Sequence, residues 1–176
     1  MGVPTPLAKD QADASIGEIF DGMYATVGKM PNVFAVMARF PAALKRFVPF
    51  YNAVMLKGRV PAKLKELAYL KTASINACQY CLRAHAASAR QAGVTDQQIE
   101  ELRFYQNSPA FDEKERATVR FADLVTRGAA TIDASVLNWL SRFYSEDEIV
   151  ELVMVIALAN MVNRFNDTLQ IEPDLG

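Results

Sequence analysis

Cysteine and histidine are almost missing from this chain: there are two cysteines and one histidine among 176 residues. So few cysteines leave no room for the Cys-rich sets that structural zinc sites prefer. Charge of one sign is missing too. The net charge is −1 with no basic cluster, which argues against a surface that tracks phosphates, so no nucleic-acid partner is expected. Long apolar runs are absent: the longest, Leu152 to Val162, is too short for a bilayer and contains Asn160. The opening Met-Gly-Val-Pro-Thr-Pro lacks a charged segment followed by an apolar one, and Pro6 stands where a myristoylation signal wants Ser or Thr. A soluble, cytoplasmic protein without membrane association is the expectation. No Gly-rich phosphate loop, Ser/His/Asp set or carboxylate-pair motif stands out, and no cofactor is expected.

Sustained apolar/polar alternation is likewise missing, and the 3.6-residue period takes its place almost throughout. Half of the residues are apolar, enough for a sizeable core in one domain. Ile16, Ile19, Phe20, Met23, Tyr24 and Val27 make one helical face, which Asp13 or Ser15 can cap. Asn32 can cap a short helix to Phe40. Pro41 suits the first turn of a helix that buries Leu44, Phe47, Val48, Tyr51 and Met55, bends near Pro49 and stops at Gly58. Pro61 opens the next helix, with Leu64, Leu67, Ala68, Lys71 and Ile75 on one side. Asn76-Ala77 breaks it and Cys78 starts another, to Gly93. Thr95-Asp-Gln-Gln98, Asp112-Glu-Lys-Glu115 and Ser145-Glu-Asp-Glu148 are capping boxes, and Asp133 begins a further helix. The fold class is all-α: a compact bundle of eight or nine helices with short connections.

A faint two-fold repeat runs through it. At an offset of 85, Leu64-Lys-Glu66-Leu67 aligns with Ile149-Val-Glu151-Leu152, and Cys78, Cys81 and His85 fall on Asn163, Asn166 and Gln170. On this reading one domain, 1–176, has a first half at about 30–105 carrying the cysteines and a degenerate second half at about 112–170. Two unrelated amphipathic helices explain the alignment equally well.

Both cysteines and the histidine lie within eight positions, at Cys78, Cys81 and His85. In a reducing compartment such a pair is redox-active or metal-binding more often than a staple. At a helix start the free N–H groups and the helix dipole favour a thiolate. An unperturbed thiol is only about 3% ionised at pH 7, and lowering its pKa by about two units makes thiolate the major form. His85, four residues beyond Cys81, shares its helical face and can accept its proton; Cys78, three residues before it, is close enough for a disulfide. If Asn76-Ala77 reverses the chain, Glu66 and His85 sit level, about 14 Å from the turn, and the carboxylate can orient the imidazole. Glu66, Cys78, Cys81 and His85 could also surround zinc as a tetrahedral set, although the spacing and the lack of a second cysteine pair argue against it. Trp139 and the methionines fit core or subunit interface. Lys71 and Arg83 fit solvated surface charge, and Asn163 and Asn166 fit a cap on a neighbouring helix or a hydrogen bond within an interface.

The pattern Glu66-x11-Cys78-x2-Cys81-x3-His85 resembles the signature of the alkyl hydroperoxidase D (AhpD) branch of the carboxymuconolactone decarboxylase superfamily. Leu64-Lys-Glu-Leu-Ala-Tyr-Leu70, Asn76-Ala-Cys-Gln-Tyr-Cys81 and Asn160-Met-Val-Asn-Arg-Phe-Asn166 resemble it too. The resemblance covers about residues 30–170. It implies a homo-oligomer (trimer or hexamer) and thiol-dependent peroxidase activity on a hydroperoxide. Cys81 would attack, Cys78 resolve, and Glu66 with His85 relay protons, with a lipoyl-bearing or thioredoxin-like protein as the dithiol electron donor. Members with the fullest relay carry a histidine between the cysteines. Here Tyr80 takes that place as an auxiliary residue, able to donate a hydrogen bond but a poor base. The rivals are a non-catalytic redox sensor or scaffold and the ring-opening decarboxylase chemistry of the superfamily's name, against which the cysteine pair speaks.

Overall fold

All three capping boxes form as helix starts in the computed structural model, which describes residues 4–175. Residues 1–3, on which the reading of the chain's opening partly rests, and Gly176 lie outside the described residues. The described residues form nine α-helices and no strand: α1 (Gly17–Val27), α2 (Asn32–Met37), α3 (Pro41–Leu56), α4 (Ala62–Asn76), α5 (Gln79–Gln91), α6 (Asp96–Glu101), α7 (Glu113–Gly128), α8 (Ala134–Leu140) and α9 (Glu146–Thr168). None is long and apolar enough to cross a membrane. The fold is all-α.

Several local expectations shift. Asp13 caps a single 3₁₀ turn, Ala14–Ile16, that leads into α1. Tyr24 and Val27 stay about half exposed, so the apolar face of α1 is buried only in part. Pro31, not Asn32, occupies the cap position of α2. The Asn32 side chain is used elsewhere, donating to the carbonyl of Glu172 at 3.0 Å. Pro49 sits inside α3 without ending it.

The largest difference concerns α4. An amphipathic helix was expected, yet every residue from Leu64 to Ala73 is buried, because α4 is the central rod against which α5, α7 and α9 all pack. Its buried run includes three charged side chains, Lys65, Glu66 and Lys71. Lys71, expected at the surface, pairs with Asp123 of α7 at 3.0 Å and lies over the Tyr105 ring. Lys65 pairs with Glu151 of α9 at 2.5 Å and donates to the carbonyls of Val54 and Lys57. Glu66 meets His85 of α5. The Glu151 carboxylate also accepts from the backbone N–H groups of Arg59 and Val60, at 2.8 and 3.3 Å. Gly58 permits this approach: its φ of +102° suits glycine, and an added Cβ would run into that carboxylate.

Removing one member of a buried ion pair strands the other without water. Glu151→Ala is therefore expected to lower the unfolding free energy by about 3 kcal/mol, measured by urea denaturation. Adding Lys65→Met should restore much of that loss, since no unpaired charge is then left buried at this place.

Candidate active site

Ala77 adopts the left-handed conformation (φ 59°, ψ 23°) and ends α4, with its N–H bonded to the carbonyls of Ala73 and Ser74. Cys78 then caps α5 in extended conformation, and its N–H returns to the Ala73 carbonyl at 3.0 Å. This reversal lays α5 back along α4. As a result the Glu66 Oε2 and His85 Nδ1 atoms lie 2.8 Å apart, although 19 residues separate them. Both side chains are buried. The Tyr69 ring stacks on the imidazole at 3.5 Å and 14°, which fixes its plane. Nε2 is left facing the Tyr51 hydroxyl at 3.4 Å.

Both thiols are free and buried at the start of α5, with their sulfurs 2.9 Å apart. They are not equivalent. Cys78 donates its S–H to the Cys81 sulfur, and this hydrogen bond is the largest cause that lowers Cys81 below the ordinary thiol range, to about 7. Burial opposes the shift, while the amides of Asn166 and Asn163 and the charge of His85 add to it. The same donated hydrogen bond and burial push Cys78 far upward. Asn166 Nδ2 lies 3.2 Å from the Cys81 sulfur. Asn163 accepts from Asn76 at 2.9 Å.

His85 was expected to take its proton straight from Cys81. Its hydrogen bonds instead go to Glu66 and Tyr51, while those at the Cys81 sulfur come from Cys78 and Asn166. Asn163 and Asn166 neither cap a helix nor wait for another subunit; they are buried beside the thiols. Sequence reasoning missed Asn166 as a donor to the thiolate and Asn163 as its buried neighbour, along with Tyr51 and Tyr69. The signal for the asparagines was their cost: two amides in an apolar helix need partners. Tyr80 is buried and donates to Asp174 Oδ1 at 2.9 Å. Arg83 is exposed, as expected.

Two chambers meet at the imidazole. A small one of about 60 Å³ is lined by Cys81, Tyr69, Tyr80 and Phe47. A larger one of about 710 Å³ is lined mainly by apolar side chains of α1 and α3, among them Ile19, Met23, Val48 and Leu56. Phe34, Tyr51, Ala84, His85 and Leu175 border both.

Residues 41–124 match the model of the carboxymuconolactone decarboxylase family, and nearly the whole chain superposes on peroxidase-related proteins. By fold and by this match the chain is similar to AhpD-like proteins of the carboxymuconolactone decarboxylase superfamily. Among similar structures, an uncharacterized peroxidase-related protein from Silicibacter sp. TM1040 is 29% identical, covers 98% of this chain and 93% of its own, and has a TM-score of 0.85. The debrominase Bmp8 is 25% identical over 98% of this chain and 92% of its own, with a TM-score of 0.83. An AhpD-core, peroxidase-related protein from Ralstonia eutropha JMP134, 21% identical over 96% and 90%, shares the fold at a TM-score of 0.86.

In this AhpD-like chain, alkylation of Cys81 by iodoacetamide should rise from pH 6 to 8 with a midpoint near 7, because only the thiolate reacts. Cys78 should stay unreactive over that range. Asn166→Ala should move the Cys81 midpoint up by about one unit, the worth of one hydrogen bond to a charged group.

Proposed function

We propose that this protein is a thiol-dependent peroxidase that reduces an organic hydroperoxide, ROOH, to the alcohol. The observation that carries the reading is the asymmetry of the dithiol: one sulfur is held as an acceptor by Cys78 and Asn166, and the other stays protonated at 2.9 Å. The Cys81 thiolate attacks the distal oxygen, the O–O bond breaks, and Cys81 becomes a sulfenic acid while RO⁻ leaves. Glu66 accepts the Nδ1 proton of His85 and keeps Nε2 as the working nitrogen. Nε2, next to the Tyr51 hydroxyl at the junction of the chambers, supplies the proton that makes ROH. The Cys78 sulfur then attacks the sulfenic sulfur, water departs and the disulfide forms. The sum is ROOH plus dithiol giving ROH, water and disulfide.

A dithiol donor, a lipoyl-bearing or thioredoxin-like protein, returns the electrons in the cytoplasm. We place the chain in a trimer or hexamer, since Leu56 is 74% exposed, Val150 64% and Met161 50%, and apolar side chains grouped on α3 and α9 favour self-association. One observation favours a second reading, reductive dehalogenation: the large chamber would hold a halogenated aromatic. A cysteine-to-alanine variant of Bmp8 is seen in complex with 2,3,4-tribromopyrrole. Here too the dithiol would supply both electrons: its oxidation to the disulfide replaces a C–Br bond by C–H and releases bromide and a proton.

Pre-steady-state thiol oxidation by cumene hydroperoxide is the deciding measurement. Cys81→Ser is expected to abolish it. Cys78→Ser should keep the first oxidation and trap the sulfenic acid. His85→Gln and Glu66→Gln should each slow the first step by about 10²-fold or more, without full additivity. Equal loss in both cysteine variants, or tribromopyrrole consumed while hydroperoxide is not, rejects the peroxidase. Light scattering should give a mass above the monomer at micromolar concentration.

A further inference from the structure

The inner chamber is too small for most of an organic molecule. Its 60 Å³ holds a few water-sized groups, enough for a hydroperoxyl end but not for the body that carries it. The outer chamber, at about 710 Å³, falls in the range of small-molecule sites. Leu175 borders both. It stands with Phe34, Tyr51 and His85 where any body larger than the hydroperoxyl group must pass to bring its reactive end to Cys81.

The segment that places Leu175 is fastened by one carboxylate. Asp174 accepts from the Tyr80 hydroxyl at 2.9 Å and from the Asn32 N–H at 3.2 Å, and Lys29 Nζ lies 3.5 Å from it. Lys29 also donates to the Asp174 carbonyl, and the Asn32 side chain donates to the Glu172 carbonyl at 3.0 Å. After α9 ends, the chain is thus tied to α2, to Lys29 in the turn that precedes it and to α5. The α5 anchor is Tyr80, the residue immediately before Cys81. A short irregular segment held mainly by polar contacts, with one apolar side chain at the chambers, opens at lower cost than a packed helix.

We infer that residues 172–175 form a gate over Cys81, with Leu175 as the stopper and the Asp174–Tyr80 hydrogen bond as its latch. The inference rests on the peroxidase reading for its substrate, a hydroperoxide with a bulky apolar body that fills the outer chamber. With the gate shut, only a small peroxide reaches the sulfur; with Leu175 withdrawn, the body stays among Met23, Val48 and Leu56 while the reactive end enters. Leu175 is a specificity-determining residue in this scheme, and Tyr80 and Asp174 are positioning residues.

Thiol labelling tests the gate without any peroxide. In the reduced full-length protein, Leu175→Ala is expected to speed modification of Cys81 by N-phenylmaleimide about tenfold and to leave iodoacetamide labelling unchanged. Tyr80→Phe should raise N-phenylmaleimide labelling by about tenfold, the worth of one hydrogen bond to a carboxylate, and Asp174→Ala, which also frees Asn32 and Lys29, by at least as much. The double variant should add nothing further, because both remove the same latch. Leu175→Phe should slow the bulky reagent. Rates with both reagents that rise together, or stay unchanged in every variant, overturn the gate. Cumene hydroperoxide and hydrogen peroxide then separate the two readings. If labelling keeps its size selectivity while neither peroxide oxidises the thiols, the gate stands and the peroxidase falls.

Discussion

Three buried charges on one helix set the arrangement of everything around it. Lys65, Glu66 and Lys71 of α4 are each met by a different neighbour: Glu151 of α9, His85 of α5 and Asp123 of α7. An uncompensated charge in such a place costs several kcal/mol, whereas a slide of one apolar ridge past another costs far less. The apolar residues bring the helices together, and the charges penalise the wrong register. Two of the three pairs serve only the architecture. The third, Glu66 with His85, uses the same device to hold an imidazole beside the thiols.

The second constraint is the turn at Ala77. A non-glycine residue in the left-handed region carries a modest strain, which its capping hydrogen bonds and the packing of α5 on α4 offset. The turn sets the thiols at a helix start and swings His85 back to Glu66. Beyond that, the environment separates two chemically identical side chains. Cys78 gives a hydrogen bond to its neighbour's sulfur; Cys81 receives that one and another from Asn166. One thiol is thereby made acidic and the other kept protonated. The helix-dipole argument alone would have favoured ionisation of either.

The two long-range elements at the end of the chain complete the site. Helix α9 supplies Asn163 and Asn166, and the segment after it supplies Asp174 and Leu175. Both arrive from sequence positions distant from the cysteine motif, 85 residues from Cys81 to Asn166 and 94 from Tyr80 to Asp174. The substitution of Tyr80 for a histidine changes sense as a result. Its hydroxyl is engaged with Asp174 and Val33, so it serves as an anchor for the chain's last described segment. In the proposed mechanism the protons are left to Glu66, His85 and Tyr51.

The sequence by itself determined what is local. Helix starts followed from side chains that bond their own backbone within three residues, as at Thr95, Asp112, Asp133 and Ser145. The break before Cys78 and the pairing of Glu66 with His85 were also legible, since a hairpin with equal arms needs only spacing and helical rise. What lay outside its reach was everything fixed by a third element. Lys71 read as a surface charge because its partner, Asp123, is 52 residues away on another helix. Asn166 read as a cap on a neighbouring helix or an interface amide, and Leu175 carried no signal at all. Periodicity reports which face of a helix avoids water. It does not report which helix covers that face, and the thiolate's donors, the bed of Lys71 and the wall between the chambers all depend on that choice.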